Sequence, residues 1–288
     1  MRFGASVLKI GNRKAFTRYG LNAFFVAGLL QLFCGSAAVA SLIACPADQS
    51  GQRATVAYVD DGDTVRLTTG ERIRLAGIDA PEVAHHAYRD KPASGDEPFG
   101  VGSRQALRAM LARSHNRVLV QYGRESSDRY GRKLAYLYLP DGESIQASLV
   151  AQGLAMAVYM PPNLDLADCL TLTEQAAARQ RIGIWSSAEY APGINTAAGI
   201  PADVQGAAIV RGRVLSVHKS ARTVWVNLEG RVALQIARRA WPQFTGVDFD
   251  AWRGKTIRAR GWLVRDKTRY QDWRMPIESP RSVEVMPR

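Results

Sequence analysis

The chain has 288 residues, 47% of them hydrophobic and 22% charged, which excludes a disordered polymer and leaves room for about two domains. Its net charge of +12 is uneven: residues 1–45 carry +5, residues 46–199 carry −2 and residues 200–288 carry +9. Only four histidines are present (His85, His86, His115 and His218), which argues against a histidine metal cage or a Ser-His pair and leaves carboxylates and arginines as the chemical tools.

Arg2, Lys9, Arg13, Lys14 and Arg18 precede an almost wholly apolar run from Leu21 to Ala40. Basic residues followed by an apolar run ending in Ala38-Val39-Ala40 are the pattern of an export signal, with cleavage expected before Ser41. Two alternatives stay open. An uncleaved run is long enough to span a bilayer. Leu42-Ile43-Ala44-Cys45 also has the form of a lipoprotein signal, with Cys45 as the lipidated first residue. Each places the rest of the chain outside the cytoplasm, periplasmic or extracellular, free or attached to the membrane through the N-terminus. Cys45 and Cys169 would remain as an even pair in an oxidising compartment, able to join as a disulfide unless Cys45 is lipidated.

Residues 53–60, 63–68 and 72–76 alternate as strands around turns at Asp61-Gly62 and Thr69-Gly70, which predicts a β-meander. Residues 83–100 read as a polar loop. Residues 102–114, 145–152 and 166–181 have helical spacing, and 117–122 and 133–139 alternate again. Five strands and three helices over 52–187 fit a small closed barrel with helices packed on it. The Ala-, Gly- and Pro-rich stretch 188–205 reads as a linker. Over 206–288 the strand-like runs are 208–217, 223–228, 231–236, 256–263 and 282–285, which suggests a second, smaller five-strand barrel. The fold class expected is therefore mainly β with α. In the basic second segment Trp225 and Trp262 sit in strand patterns and are expected in the core, while cations interleaved with rings suit single-stranded nucleic acid.

Three clusters carry chemistry: Asp60-Asp61-Gly62-Asp63-Thr64, Arg74-Leu75-Ala76-Gly77-Ile78-Asp79-Ala80-Pro81-Glu82 and Asp128-Arg129-Tyr130-Gly131-Arg132. Each lies at or just past a predicted strand end, where a small barrel gathers its loops. Hydrolysis of a phosphodiester needs charge neutralisation on the non-bridging oxygens, a positioned water and a base. Arg74 and Arg132 offer permanently charged forked donors. Asp63, Asp79 and Glu82 are carboxylates of the kind that hold a hard cation or act as a general base toward water. Few protein ligands imply weak binding, suited to millimolar calcium outside a cell. Taken singly, an Asp-Gly between strands is an ordinary hairpin turn and Arg74 an ordinary strand residue.

The order of these motifs, with Leu134-Ala135-Tyr136, residues 149–155 and Gly183-Ile184-Trp185-Ser186, resembles the staphylococcal nuclease (thermonuclease) family from about Thr55 to Trp185. The resemblance implies an OB-type barrel and a calcium-dependent endonuclease acting on DNA and RNA that leaves 3′-phosphate ends. It assigns calcium to Asp63, Asp79 and the Ala80 carbonyl, base catalysis to Glu82, phosphate clamping to Arg74 and Arg132, and nucleotide contacts to Arg129, Tyr130 and Tyr159. The sequence departs from the family in a longer loop over 83–100, in Ala80 where Thr is frequent, and in Met156 near a position where Lys is frequent. The second barrel is expected to be OB-like and to help hold substrate. A non-catalytic OB-fold protein that only binds nucleic acid is the competing reading. No obligate protein partner is implied.

Overall fold

Alternation of apolar and polar residues around tight turns sets the first sheet. β1 (Gln52–Val59), β2 (Thr64–Leu67) and β3 (Arg72–Leu75) form the meander, followed by a two-residue β4 (Ile78–Asp79). Then come α1 (Gly100–Arg113), β5 (Arg117–Ser127), β6 (Lys133–Tyr138), α2 (Ile145–Ala151), β7 (Met156–Ala157) and α3 (Ala167–Arg179). The barrel order is β1-β2-β3-β6-β5, closed by β5 on β1, with β3 and β6 parallel. The computed structural model describes residues 45–46, 51–84, 95–202, 204 and 206–287. The export segment 1–40 with its cleavage and anchoring alternatives, His85, His86 and most of the 83–100 loop lie outside the described residues. Among the described residues no helix is long and apolar enough to cross a membrane.

Val65, Ile73, Leu75, Leu107, Leu111, Ala135 and Leu137 fill the first core. Each fully buried Leu or Ile contributes about 1.5–3 kcal/mol. α2 starts at Ser144, whose hydroxyl accepts from the Ala147 N–H at 3.3 Å. The fully buried Gln146 ties this helix to the barrel: its carbonyl accepts from the Leu137 N–H (3.1 Å), and its amide donates to Ala135 O (3.2 Å) and Ala76 O (3.4 Å). That clamp holds the chain directly upstream of Gly77-Ile78-Asp79. Cys45 is joined to Cys169 of α3 by a disulfide.

The second barrel is built from β9 (Gly206–Lys219), β10 (Thr223–Leu228), β11 (Val232–Ala237), β12 (Thr256–Arg265) and β13 (Trp273–Pro276), preceded by β8 (Ile194–Asn195) and followed by β14 (Val283–Val285). β12 closes on β9, and β11 runs parallel to β13. Residues 188–205, whose composition reads as a linker, include β8, which pairs with β9 at Ile194↔Val210 and Asn195↔Arg211. Two sequence expectations change here. The fifth barrel strand is β13, not the run at 282–285, which pairs as β14 with the edge of β12. β13 is only four residues long and ends on a proline, too short to display periodicity, yet it buries Trp273 and Met275. Of the two tryptophans expected in the core, Trp225 is half-buried, alternating with the buried Val224 and Val226 of β10, and Trp262 is 42% exposed. Along β12 it shares the outward parity of Arg258 and Arg260, while Ile257, Ala259 and Leu263 point inward.

Both barrels belong to one compact unit. They touch through a buried ion pair. Arg260 of β12 reaches Glu174 of α3 at 2.6 Å and also donates to Ala157 O at 2.9 Å, and Glu174 in turn accepts from the Ala157 N–H at 2.6 Å.

Candidate active site

The turn between β1 and β2 splits its acids among three tasks. Asp60 turns outward onto Arg66 and Arg72. Asp61, buried, accepts from the Asp63 N–H at 3.0 Å and so fixes the turn. Asp63 points inward, accepting from the Ala80 N–H at 2.8 Å and from the Thr64 hydroxyl at 3.1 Å. Gly62 is demanded by close packing: a Cβ there would lie 2.1 Å from the Ser103 hydroxyl of α1 and 2.7 Å from the Ala80 Cβ. The absence of a side chain lets the turn sit against the segment that carries Asp79 and Ala80.

Arg74 joins these two segments. Its guanidinium, 10% exposed, pairs with Asp63 through Nη1 and with Asp79 through Nη2. β3 thus buries a residue whose alternation with Ile73 and Leu75 also suits an exposed strand position. Burial pushes Asp79 above the ordinary carboxylate value, opposed by Arg74 and, more weakly, by Arg132, and reinforced by Asp61. Burial likewise raises Asp61 against the pull of Arg74. In both carboxylates the loss of water on burial outweighs the attraction of Arg74, and a neighbouring acid adds a smaller push in the same direction.

Arg132 comes from the loop after β5. Its Nε pairs with Asp128 at 2.7 Å, and the same carboxylate accepts from the backbone N–H groups of Tyr130 (2.9 Å) and Arg132 (3.0 Å). Burial raises the Asp128 carboxyl, but Arg132 and these N–H groups outweigh it and hold it below the ordinary value. Arg129 and Tyr130 stand exposed at the loop tip, with the guanidinium 4.7 Å from the ring centroid.

Glu82 lies at the exposed rim, held by its backbone. Its N–H donates to the Glu97 carboxylate and its carbonyl accepts from the Glu97 N–H, both at 3.0 Å. Gly100 at the start of α1 packs against the Glu82 carbonyl, where a Cβ would come within 2.3 Å.

The structure therefore brings together Asp63, Asp79, Ala80 and Arg74, with Arg132 close enough to act electrostatically on Asp79. Tyr159 has other company. It is 5% exposed, its hydroxyl is 2.8 Å from that of Thr171, and the Arg260 guanidinium of the second barrel lies 5.7 Å from its ring centroid. The second barrel thus stands beside this ring. Three residues at the site escaped sequence reasoning. Asp61 is quoted in the first motif, but its role as turn-fixing acid is hidden by the more ordinary Asp-Gly reading. Glu97 sits in a polar loop without pattern. Tyr190 lies past the motifs, in an Ala- and Pro-rich stretch. Burial, followed by the charges of Glu97, Asp79 and Glu189, raises the Tyr190 hydroxyl, and Arg258 of β12 donates to its carbonyl at 2.7 Å.

The donor set is all oxygen, as a hard divalent cation requires. Among the described residues no three acidic, histidine or cysteine side chains stand together as an ion cage, so a cation here would draw on two carboxylates, a carbonyl and water.

A family described as Staphylococcal nuclease homologue matches residues 72–187. That stretch takes in Arg74, Asp79, Glu82 and Arg132, and stops before the second barrel. The thermonuclease of Staphylococcus intermedius is 33% identical over 141 residues, 48% of this chain and 79% of that protein. The endonuclease YncB of Bacillus subtilis (strain 168) is 31% identical over 134 residues, 45% of this chain and 60% of that protein. The thermonuclease of Staphylococcus hyicus is 29% identical over 135 residues, covering 75% of its own length. The chain belongs to the family of staphylococcal nuclease homologues.

Proposed function

We propose that the protein is an exported nuclease, a calcium-dependent endonuclease that hydrolyses phosphodiester bonds of DNA and RNA and leaves 3′-phosphate ends. The observation that carries the reading is the buried Asp63–Arg74–Asp79 bridge, with Arg132 acting on it from a second loop, in a chain of this family. Asp63, Asp79 and the Ala80 carbonyl are the oxygen donors that would hold calcium, whose charge screens the phosphate and orders the attacking water. The all-oxygen character of these donors, with Asp63 bonded to the Ala80 N–H at 2.8 Å, supports that fit.

Glu82 takes the proton of the water as its oxygen bonds to phosphorus. The bond from phosphorus to the 5′ oxygen breaks, and its electron pair leaves with that oxygen, which is then protonated. Arg74 and Arg132 donate to the equatorial oxygens as their charge grows. Arg129 and Tyr130, exposed beside Arg132, would meet the neighbouring nucleotide. For Tyr159, 5% exposed and beside Arg260, a nucleotide contact rests on the family resemblance alone.

Export is supported by the Cys45–Cys169 disulfide, a bond that persists in oxidising compartments and engages the sulfur that lipidation would need. The test is incubation of the protein with end-labelled DNA and RNA in millimolar calcium and in chelator. Internal cleavage with calcium only, yielding 3′-phosphate ends, is the expected result. Tight binding without cleavage in either condition would favour the non-catalytic reading and reject this one.

A further inference from the structure

The two barrels repeat one strand plan. In the first, β5 closes on β1 and β6 runs parallel to β3. In the second, β12 closes on β9 and β13 runs parallel to β11. The loop from β5 to β6 and the loop from β12 to β13 are therefore topological equivalents, and both carry Arg-Tyr: Arg129-Tyr130 in one, Arg269-Tyr270 in the other.

Their local construction matches as well. In the first loop the Asp128 carboxylate accepts from the Tyr130 N–H, and Arg129 stacks on the Tyr130 ring while donating to its hydroxyl at 2.6 Å. In the second the Thr268 hydroxyl accepts from the N–H groups of Tyr270 and Gln271, both at 3.1 Å. Arg269 stands 4.5 Å from the Tyr270 ring centroid and donates to its hydroxyl. Each loop is closed at its base by one backbone bond of 2.9 Å, Asp128 N–H to Arg132 O and Asp266 N–H to Asp272 O. Arg231 braces the second loop further, donating to Thr268 O at 2.9 Å and pairing with Asp272 at 3.0 Å. Tyr270 is 67% exposed, against 63% for Tyr130.

What the second barrel does not repeat is the chemistry. Among the described residues, the bridge of one buried arginine between two carboxylates occurs only at Arg74. A braced loop displaying an exposed ring and a guanidinium, in a segment of charge +9, is equipped to bind and not to cut.

We propose that the β12–β13 loop is a second nucleic-acid contact, in which Arg269 meets a backbone phosphate and Tyr270 stacks on a base of a single strand. Loops joining the fourth and fifth strands of OB-type barrels are a general place for oligonucleotide contact, and base–aromatic stacking tolerates any sequence. The bracing by Arg231 and Thr268 means that little ordering is left for binding to impose. The inference rests on the nuclease reading for its substrate class, but its test needs no cleavage.

The test is binding of a labelled single-stranded DNA of about 16 nucleotides to the full chain in chelator, measured by fluorescence anisotropy over a range of salt. Replacing both residues (Arg269→Ala with Tyr270→Ala) is expected to weaken binding about tenfold, or ~1.4 kcal/mol, and to lower the salt slope by about 0.7. Tyr270→Phe keeps the ring and is expected to hold most of the affinity. Hydrolysis of a dinucleotide, too short to reach a second contact, is expected to be unchanged in the double variant. Unchanged affinity and slope in the double variant would overturn the proposal, as would a Tyr270→Phe loss equal to that of Tyr270→Ala. A wild-type chain that binds DNA but never cleaves it would sink the nuclease reading and leave this comparison intact.

Discussion

Arg74 is forked, and the site uses the fork. Two of its nitrogens face two different carboxylates, one on the β1–β2 turn and one after β3. Lysine would keep the charge but not the geometry. Arg74→Lys is accordingly expected to lower kcat by about 10²–10³, the usual cost of losing one aimed donor at a developing anion. Its folding is expected to survive, as near-native circular dichroism would check. Asp128 is a positioning residue, acting through Arg132 and two backbone N–H groups. Its folded pKa is lowered, so its ionised form adds stability that is fully present above the ordinary value of 3.8 and is lost as the pH falls through the lowered value. Denaturant midpoints of wild type and Asp128→Asn should therefore differ at neutral pH and converge in acid below 3.8. A gap that stays constant with pH would contradict the role.

At the scale of elements, the meander was readable because each hairpin announces itself, Asp61-Gly62 and Thr69-Gly70 between runs of period two. Helix spacing was equally plain in α1 and α3. What stayed hidden depended on contacts from far along the chain. β13 has four residues and becomes a strand by pairing parallel with β11. Tyr159 is buried with the first core, and its neighbour Arg260 stands 101 positions later in number, a contact no local pattern encodes. The site was legible where one motif carried its own chemistry, as in Asp79 and Arg132. It was opaque where the role came from packing, as in Asp61, Glu97 and Tyr190. The Arg260–Glu174 pair that joins the barrels is 11% and 6% exposed. Arg260→Met leaves a buried carboxylate without its cation and is expected to cost about 3–5 kcal/mol. Adding Glu174→Gln should recover much of that loss in a double-mutant cycle of unfolding free energies. Additive losses would show that the pair does not act as a unit.

Over the whole molecule, charge and chemistry are divided. Residues 46–199 hold the carboxylate–arginine bridge with a net charge of −2, and residues 200–288 hold +9. An acidic catalytic barrel gains from a basic neighbour, because a polyanion is attracted to the segment whose cations release its counterions. The chain is also tied across its length: the Cys45–Cys169 disulfide spans a separation of 124 residues. Closing so long a loop restricts the unfolded chain, and replacing both cysteines by serine is expected to cost about 2–5 kcal/mol in denaturant unfolding. An equal stability of the oxidised wild type and the double serine variant would contradict it. The bridge of Asp63, Arg74 and Asp79, with Arg132 and Glu82, is proposed as a working phosphodiesterase site. The most direct measurement is the single-turnover cleavage rate of one defined oligonucleotide in millimolar calcium, wild type beside Glu82→Gln. Measurable cleavage by the wild type is expected, with a rate about 10²–10⁴-fold lower in the variant and substrate affinity retained. Equal rates in the two proteins would contradict it.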